Sequence, residues 1–479
     1  MAAAHRRISV QMSWATVLMI DLFYGRGQVR TEINNLIDGE FSVECVNIVL
    51  KQQTEDNPVV YVGPGVISQN EYGEVEVKLV WSMISNDKYI PLGTNELAEG
   101  IEFGTVIPRS AYFDLTATSI DGDIWVGSDI WINFSAYFST NSAIFNGIIP
   151  RVLRETKREK AAEQSYIYTV FCEGKGFKFP ANEFSDQGER GRIRNISTLE
   201  LSGFNCKIIK REKYIEFSFS SHDPIDRKMA LGVIKAVEIV SGYRLMVVLE
   251  RKVGDLKIET TIKSRRKNEG LWVLPSIINM EAPASLSSCV DFVGRFVGAS
   301  GEGDPLFYRY WCEIGAASMA GIEAFAKAVS INVEGMIEQD YISLKKADQE
   351  FVAECKKAKE FIDSLPAGAE GMVITERVKK RITMNLDGAG YPSIKNALYI
   401  LFDKQVADQW NFVRHKALHG GMHKLLRNTQ DLLDASYACL FMFNEILMEH
   451  IGFKGERINY AVKGYPTVQP QINVPSVSE

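Results

Sequence analysis

The residues of this chain best suited to moving protons crowd towards one end: of six histidines, four lie at positions 415, 419, 423 and 450. An imidazole titrates close to neutral pH, so a histidine beside a permanent positive charge is equipped for acid–base work on an anionic substrate. The stretch Trp410-Asn411-Phe412-Val413-Arg414-His415-Lys416-Ala417-Leu418-His419-Gly420-Gly421 has that composition. On a helix, Arg414 and His419 stand about 7.5 Å apart along the axis and about 140° around it. A long arginine side chain can still converge on whatever the imidazole contacts.

Two other readings of these residues stand beside that one. His415, His419 and His423 recur every four residues and would share a helical face as metal ligands. Against this, Gly420-Gly421 interrupts the face and no adjacent carboxylate completes a ligand set, so no metal or other cofactor is expected. Alternatively, Arg414 and Lys416 are solvated charges favoured at a helix C-terminus, with His419 a cap before a glycine stop.

Charge is distributed unevenly. The whole chain of 479 residues carries 54 Lys+Arg against 60 Asp+Glu, a net −6, which excludes indiscriminate coating of nucleic acid. Between Glu376 and Arg427, however, ten basic residues face four acidic ones, a local +6. Lys379, Lys380, Arg381 and Lys416 are the candidates in that stretch for guiding phosphates, and a solvated helix face explains them as well.

The elements that must position these residues change character near residue 300. From about residue 38 to 280 the period is two: Val75, Val77, Leu79 and Trp81 alternate with Glu74, Glu76 and Lys78. The same alternation runs through Ile215, Phe217 and Phe219, and through Leu256, Ile258 and Ile262. Ile124, Val126, Ile130 and Ile132 sit in a Trp- and Gly-rich strand segment. Turns are read at Gly63-Pro64-Gly65, Asn70 to Gly73, Asp121-Gly122-Asp123 and Gly254-Asp255. The charged stretch Arg151 to Glu163 reads as a solvated helix or loop inserted among the strands.

Gly298, Gly301 and Gly303 mark the junction; no Gly-Lys-Ser/Thr follows, so they are not a phosphate loop. Beyond Tyr308 apolar residues recur at three and four spacing, as in Trp311, Ile314, Met319, Ile322 and Phe325, or Phe351, Cys355, Ala358 and Ile362. This predicts a bundle of five or six helices. The expected fold is α+β: an N-terminal segment 1–37, a β-rich antiparallel sandwich or barrel-like domain 38–296, an all-helical domain 305–455 and an extended tail 456–479.

Seven cysteines without a close pair or Cys-x-x-Cys fit a reducing cytoplasm. Arg6 and Arg7 ahead of Ile8 to Tyr24 imitate a signal peptide, but Gln11, Ser13 and Asp21 interrupt the apolar run, so a soluble segment is expected. No run reaches the roughly 18–20 apolar residues of a membrane span. A cytoplasmic protein without membrane contact is the expectation.

The string Arg414-His415-x-x-x-His419-Gly420 resembles the R-polar-x-x-x-H signature of HEPN domains, helical bundles in which this pair cleaves RNA without a metal in many members. His415 stands where such nucleases often carry Asn. The β-rich half ahead of the bundle resembles the Apea-like anti-phage HEPN proteins, with Tyr61 to Ile67 and Glu74 to Leu79 similar in style to the start of their N-terminal domain. The likeness covers roughly residues 305 to 455 specifically and the first half only in style.

That resemblance implies an endoribonuclease of abortive anti-phage defence, with RNA as substrate. It implies Arg414 as phosphate clamp, His419 or His415 as proton-transfer group, and a 2′,3′-cyclic phosphate product. One motif per chain supplies one such group where the reaction benefits from two. HEPN nucleases pair motifs across an interface, so a homodimer or higher homo-oligomer is expected, the β-rich half sensing a phage-derived trigger. Trp410, Phe412, Met422 and Leu426 are candidates for the apolar surround. The rival classes are a non-catalytic sensor with a dimerising bundle, and a HEPN partner of a nucleotidyltransferase.

Overall fold

Alternating burial builds the first half of the chain. In β4 (Phe113–Ser119), Phe113, Leu115 and Ala117 are buried between exposed Asp114 and Thr116, and in β3 (Val75–Ser82), Val75, Val77 and Leu79 point the same way. These strands close with β1 (Ser42–Gln52), β2 (Val60–Gln69), β5 (Ile124–Asn133) and β6 (Ser142–Ile148) into an antiparallel barrel of six strands, in the order β1-β2-β3-β6-β5-β4 and back to β1. The computed structural model describes residues 26–55, 57–82, 106–133, 142–157, 166–174, 176–186, 192–254, 256–266, 270–281, 284–300, 305–345, 349–365, 375–389, 393–418 and 429–474. The expectations placed on Ile8 to Tyr24, Asp255, Gly301, Gly303 and Arg158 to Glu163 lie outside them.

Two bulges set the strand phases. In β1 the register shifts between Cys45 and Ile48, so both point inwards although three residues apart, and Val46 turns out to solvent. Pro64 lies opposite that bulge, where its missing N–H breaks no ladder bond. The segment Gly63-Pro64-Gly65, expected as a turn, is therefore the middle of β2. A Cβ on Gly65 would stand 2.1 Å from the carbonyl oxygen of Lys78, so only glycine lets β3 approach. In β5, Asp129 takes a φ of 57° beside a register shift. Trp125, Ile130 and Ile132 are consequently the buried residues, while Ile124 and Val126 are exposed. Asn70 to Gly73 is the expected turn, with Gly73 at φ 86°.

β6 and β7 (Arg151–Lys157) hold one register against β5, Ile148 opposite Trp131 and Val152 opposite Gly127. They are a single strand bent at Ile149-Pro150. Ile149 donates to Val75 of β3, while Pro150 accepts from Ser264, at the end of the next strand over. Beyond the bend the strand leaves the barrel and joins an open antiparallel sheet. Its further members are β8 (Tyr166–Glu173), β9 (Glu183–Asp186), β10 (Arg192–Leu201), β11 (Phe204–Lys210), β12 (Tyr214–Ser221), β13 (Met246–Val253) and β14 (Lys257–Lys263), in the order β7-β14-β13-β8-β12-β11-β10-β9. Arg151 to Lys157 is thus a strand, correcting the helix or loop expected there. Of its charges, Glu155 is met across the ladder by Lys257 at 3.1 Å.

Helix α1 (Arg26–Asp38) adds Val29, Ile33 and Leu36 to the barrel's core. Its Glu32 pairs with Arg154 of β7 at 2.8 Å.

The chain folds as two units. One holds the described residues up to Phe177 with Ala181–Arg227 and Leu245–Leu271; the other holds Lys178–Pro180, Lys228–Arg244 and the described residues from Trp272 onwards. The helical unit begins earlier than the glycine-rich junction suggests, since α2 (Arg227–Ser241) and α3 (Ser285–Ala299) belong to it almost entirely.

From Leu306 to His450 the described residues form seven helices where five or six are expected: α4 (Leu306–Ala320), α5 (Ile322–Asp340), α6 (Gln349–Ser364), α7 (Glu376–Ala389), α8 (Ile394–Leu401), α9 (Lys404–Leu418) and α10 (Thr429–His450). Gly321, at φ 118°, splits the first apolar run into α4 and α5 and leaves Met319 exposed. α8 and α9 are separated where Phe402 is extended. Trp272 packs on Trp311 with ring centroids 4.3 Å apart, in a space that a Cβ on Gly315 would fill.

α10 is buried almost all round, as a central helix must be. Residues after it do not trail away. β15 (Arg457–Ile458) pairs with β16 (Thr467–Val468), and Asn473 donates to Leu401 at 2.8 Å. Arg457 lies 3.2 Å from Glu445 of α10, both charges fully buried. Together, a β-rich region with a six-stranded barrel followed by an all-helical region makes the fold α+β.

Candidate functional site

α9 carries the arginine of the motif. Its Ala407, Trp410 and Val413 are buried and turn one side of the helix into the bundle. The Trp410 indole donates to the carbonyl oxygen of Ser330 on α5 at 3.2 Å. One turn further on, Arg414 pairs through Nε with Glu334, one turn beyond Ser330. Both contacts advance four residues on each helix, so α5 and α9 run in the same sense where they meet.

The Arg414 side chain keeps 35% of its exposure and Glu334 keeps 17%, so both are half-buried and the carboxylate is the more covered of the two. Burial pushes the Glu334 carboxyl up from its ordinary range; Arg414 opposes this shift and the nearby Glu338 adds to it. Glu334 is the only ion-pair partner of Arg414 among the described residues. A guanidinium held at Nε can still donate from its terminal nitrogens to an oxyanion.

The other expected site residues are placed less completely. His415 and Lys416 continue α9. His419, His423, Met422, Leu426, Lys424 and Arg427 lie outside the described residues. Of the expected apolar surround, Trp410 is core and Phe412 is half-buried. Among the described residues no group of three His, Cys, Asp or Glu side chains could hold a metal ion.

Of the residues proposed to guide phosphates, Lys380 and Arg381 are exposed on α7. Lys379 is committed elsewhere: its ammonium donates to the carbonyl oxygens of Asp363 and Leu365 at 2.8 and 2.9 Å, capping the end of α6.

Sequence reasoning missed two carboxylates. Glu334 stands among buried Val333, Met336 and Ile337, and an acidic residue inside an apolar stripe was the available signal. Asp340, at the end of α5, holds the Nδ1 of His450 at 2.9 Å. That contact, above all other causes, raises the imidazole's pKa. The spacing of the four C-terminal histidines does not reveal it.

No model of a protein family, no curated protein and no solved structure matches this chain.

Proposed function

We propose that this chain is a metal-independent endoribonuclease of the HEPN type, acting in anti-phage defence in the cytoplasm. The observation that supports this reading best is Arg414, half-exposed on the last turns of α9 with its Nε beside the half-buried carboxylate of Glu334. Among the described residues, no helix is long and apolar enough to cross a membrane.

The chemistry follows from the side chains. A histidine, His419 in this reading with His415 beside it in the motif, accepts the proton of an RNA 2′-hydroxyl. The 2′-oxygen attacks phosphorus, the bond to the 5′-oxygen breaks, and a second protonated imidazole delivers a proton to the leaving oxygen. The products end in a 2′,3′-cyclic phosphate and a 5′-hydroxyl. Arg414 meets the extra negative charge of the phosphorane, a role for which guanidinium is suited because it stays charged and donates in parallel. Glu334 positions it. The second imidazole comes from another copy, so a homodimer is the proposed active form, with the β-rich unit receiving the trigger.

The test is cleavage of total RNA in EDTA by the full chain. His419→Ala abolishes cutting and keeps the melting temperature, and Arg414→Ala lowers the rate about 10²–10³-fold, as for loss of one charge-stabilising donor. Retained cutting by His419→Ala in a clean preparation overturns the assignment.

The ion pair itself favours a second reading, in which Arg414 is a tie between α5 and α9 in a non-catalytic scaffold. There the wild type does not cut RNA, and Glu334→Gln and Arg414→Ala lower stability alike.

A further inference from the structure

α6 and α7 form a helical hairpin whose extensive packing is with each other. Polar contacts hold the inner side: Lys359 meets Asp387 at 2.6 Å, the Thr383 hydroxyl donates to Asp363 at 3.3 Å, and Lys379 caps α6. On α7 the less exposed residues are Lys379, Ile382, Thr383 and Leu386, the side turned to α6. Arg377, Lys380, Arg381 and Met384 follow at i, i+3, i+4 and i+7 on the opposite side, and all four are exposed.

None of these three cations has an ion-pair partner among the described residues, although Lys359 and Lys379 beside them are both engaged. Like charges at i, i+3 and i, i+4 repel and weaken the helix that carries them. A helix that gathers them on one exposed face is arranged for an external polyanion. A cationic face of this kind suits a strand of regularly spaced phosphates.

We propose that the outward face of α7, formed by Arg377, Lys380 and Arg381, binds the phosphodiester backbone of single-stranded RNA, on residues distinct from Arg414. The choice of RNA rests on the nuclease reading; the existence of a polyanion face does not.

The experiment measures binding of the full-length chain to a labelled 2′-O-methyl oligouridylate, which cannot be cut by 2′-hydroxyl attack, by fluorescence anisotropy over a range of salt. Each phosphate neutralised on a single strand adds about 0.7 to the slope of log K against log salt. The triple variant Arg377→Gln/Lys380→Gln/Arg381→Gln therefore loses about two units of slope at unchanged melting temperature. If it fails to fold, Arg377→Gln and Arg381→Gln singly each lose about 0.7. Lys379→Gln keeps the slope and melts lower. A slope unchanged in folded variants overturns the proposal, as does variant-sensitive binding of polyglutamate tighter than that of RNA. A wild type that cuts no RNA yet shows the variant-dependent slope refutes the nuclease reading and leaves the binding face standing.

Discussion

Replacing Glu445 by alanine removes one partner of a fully buried ion pair in the helical unit. The Glu445 carboxylate is completely buried, with Oε1 3.2 Å from Arg457 and Oε2 accepting the backbone N–H groups of Gln471 and Ile472 at 2.9 and 3.2 Å. Removing one partner of a buried pair costs about 3–5 kcal/mol, because the other charge is left without compensation. Here Arg457 would be stranded together with two backbone donors.

The reciprocal change, Arg457→Met, is milder. Burial already pushes the Glu445 carboxyl up, Arg457 and the two N–H groups opposing it, so the acid can take a proton and go on accepting from Gln471 and Ile472. About 1–3 kcal/mol is expected. For a unit of this size each kcal/mol moves the melting temperature by roughly 2–4 °C, so Glu445→Ala should lower the helical unit's transition by about 6–20 °C and Arg457→Met by less. Because the chain has two units, calorimetry is paired with hydrogen exchange at the Gln471 and Ile472 amides, which report on this unit alone. A Glu445→Ala protein melting within about 2 °C of wild type with those amides still protected would refute the account.

Two further outcomes test other parts of the fold. The folded pKa of His450 is raised by Asp340, so this pair's stabilisation is fully present below the imidazole's ordinary value of 6.5 and disappears as pH rises through the higher folded value. His450→Gln should therefore lower the melting temperature at pH 5.5 and have little effect at pH 9, and a penalty independent of pH sinks that assignment. Gly65→Ala places a methyl 2.1 Å from a backbone oxygen and should cost more than about 3 kcal/mol, beyond ordinary overpacking, whereas Gly122→Ala meets nothing within 4 Å and costs only the roughly 1–2 kcal/mol of its positive φ. Equal denaturation midpoints for the two would contradict the bulge-and-glycine geometry of β2.

Strand identity was legible wherever one face is wet and one dry, as in Val75 to Leu79. It failed at Arg151 to Lys157 because that strand lies between β5 and β14, and its Glu155 and Arg154 are answered by Lys257 and Glu32, each about a hundred residues or more away in sequence. It failed at Gly63-Pro64-Gly65 because turn chemistry and close strand approach use the same residues. α2 is a helix enclosed in sequence by strands, and its nearly continuous apolar run hides it among them. In the site, Arg414 could be singled out by its neighbours in sequence. Glu334, eighty positions earlier, enters only when α5 and α9 pack.

The bent strand β6–β7 has a consequence for how this chain tolerates length changes. Because both halves keep one register on β5, an extra residue at Ile149-Pro150 would turn Val152 and every later side chain of β7 to the opposite face and unmatch it from β14. A residue added at the Asp121-Gly122 hairpin tip would be absorbed in the loop. Insertions and deletions should thus be excluded from this two-residue bend more strictly than from any hairpin tip around it, although the bend itself contributes no chemistry.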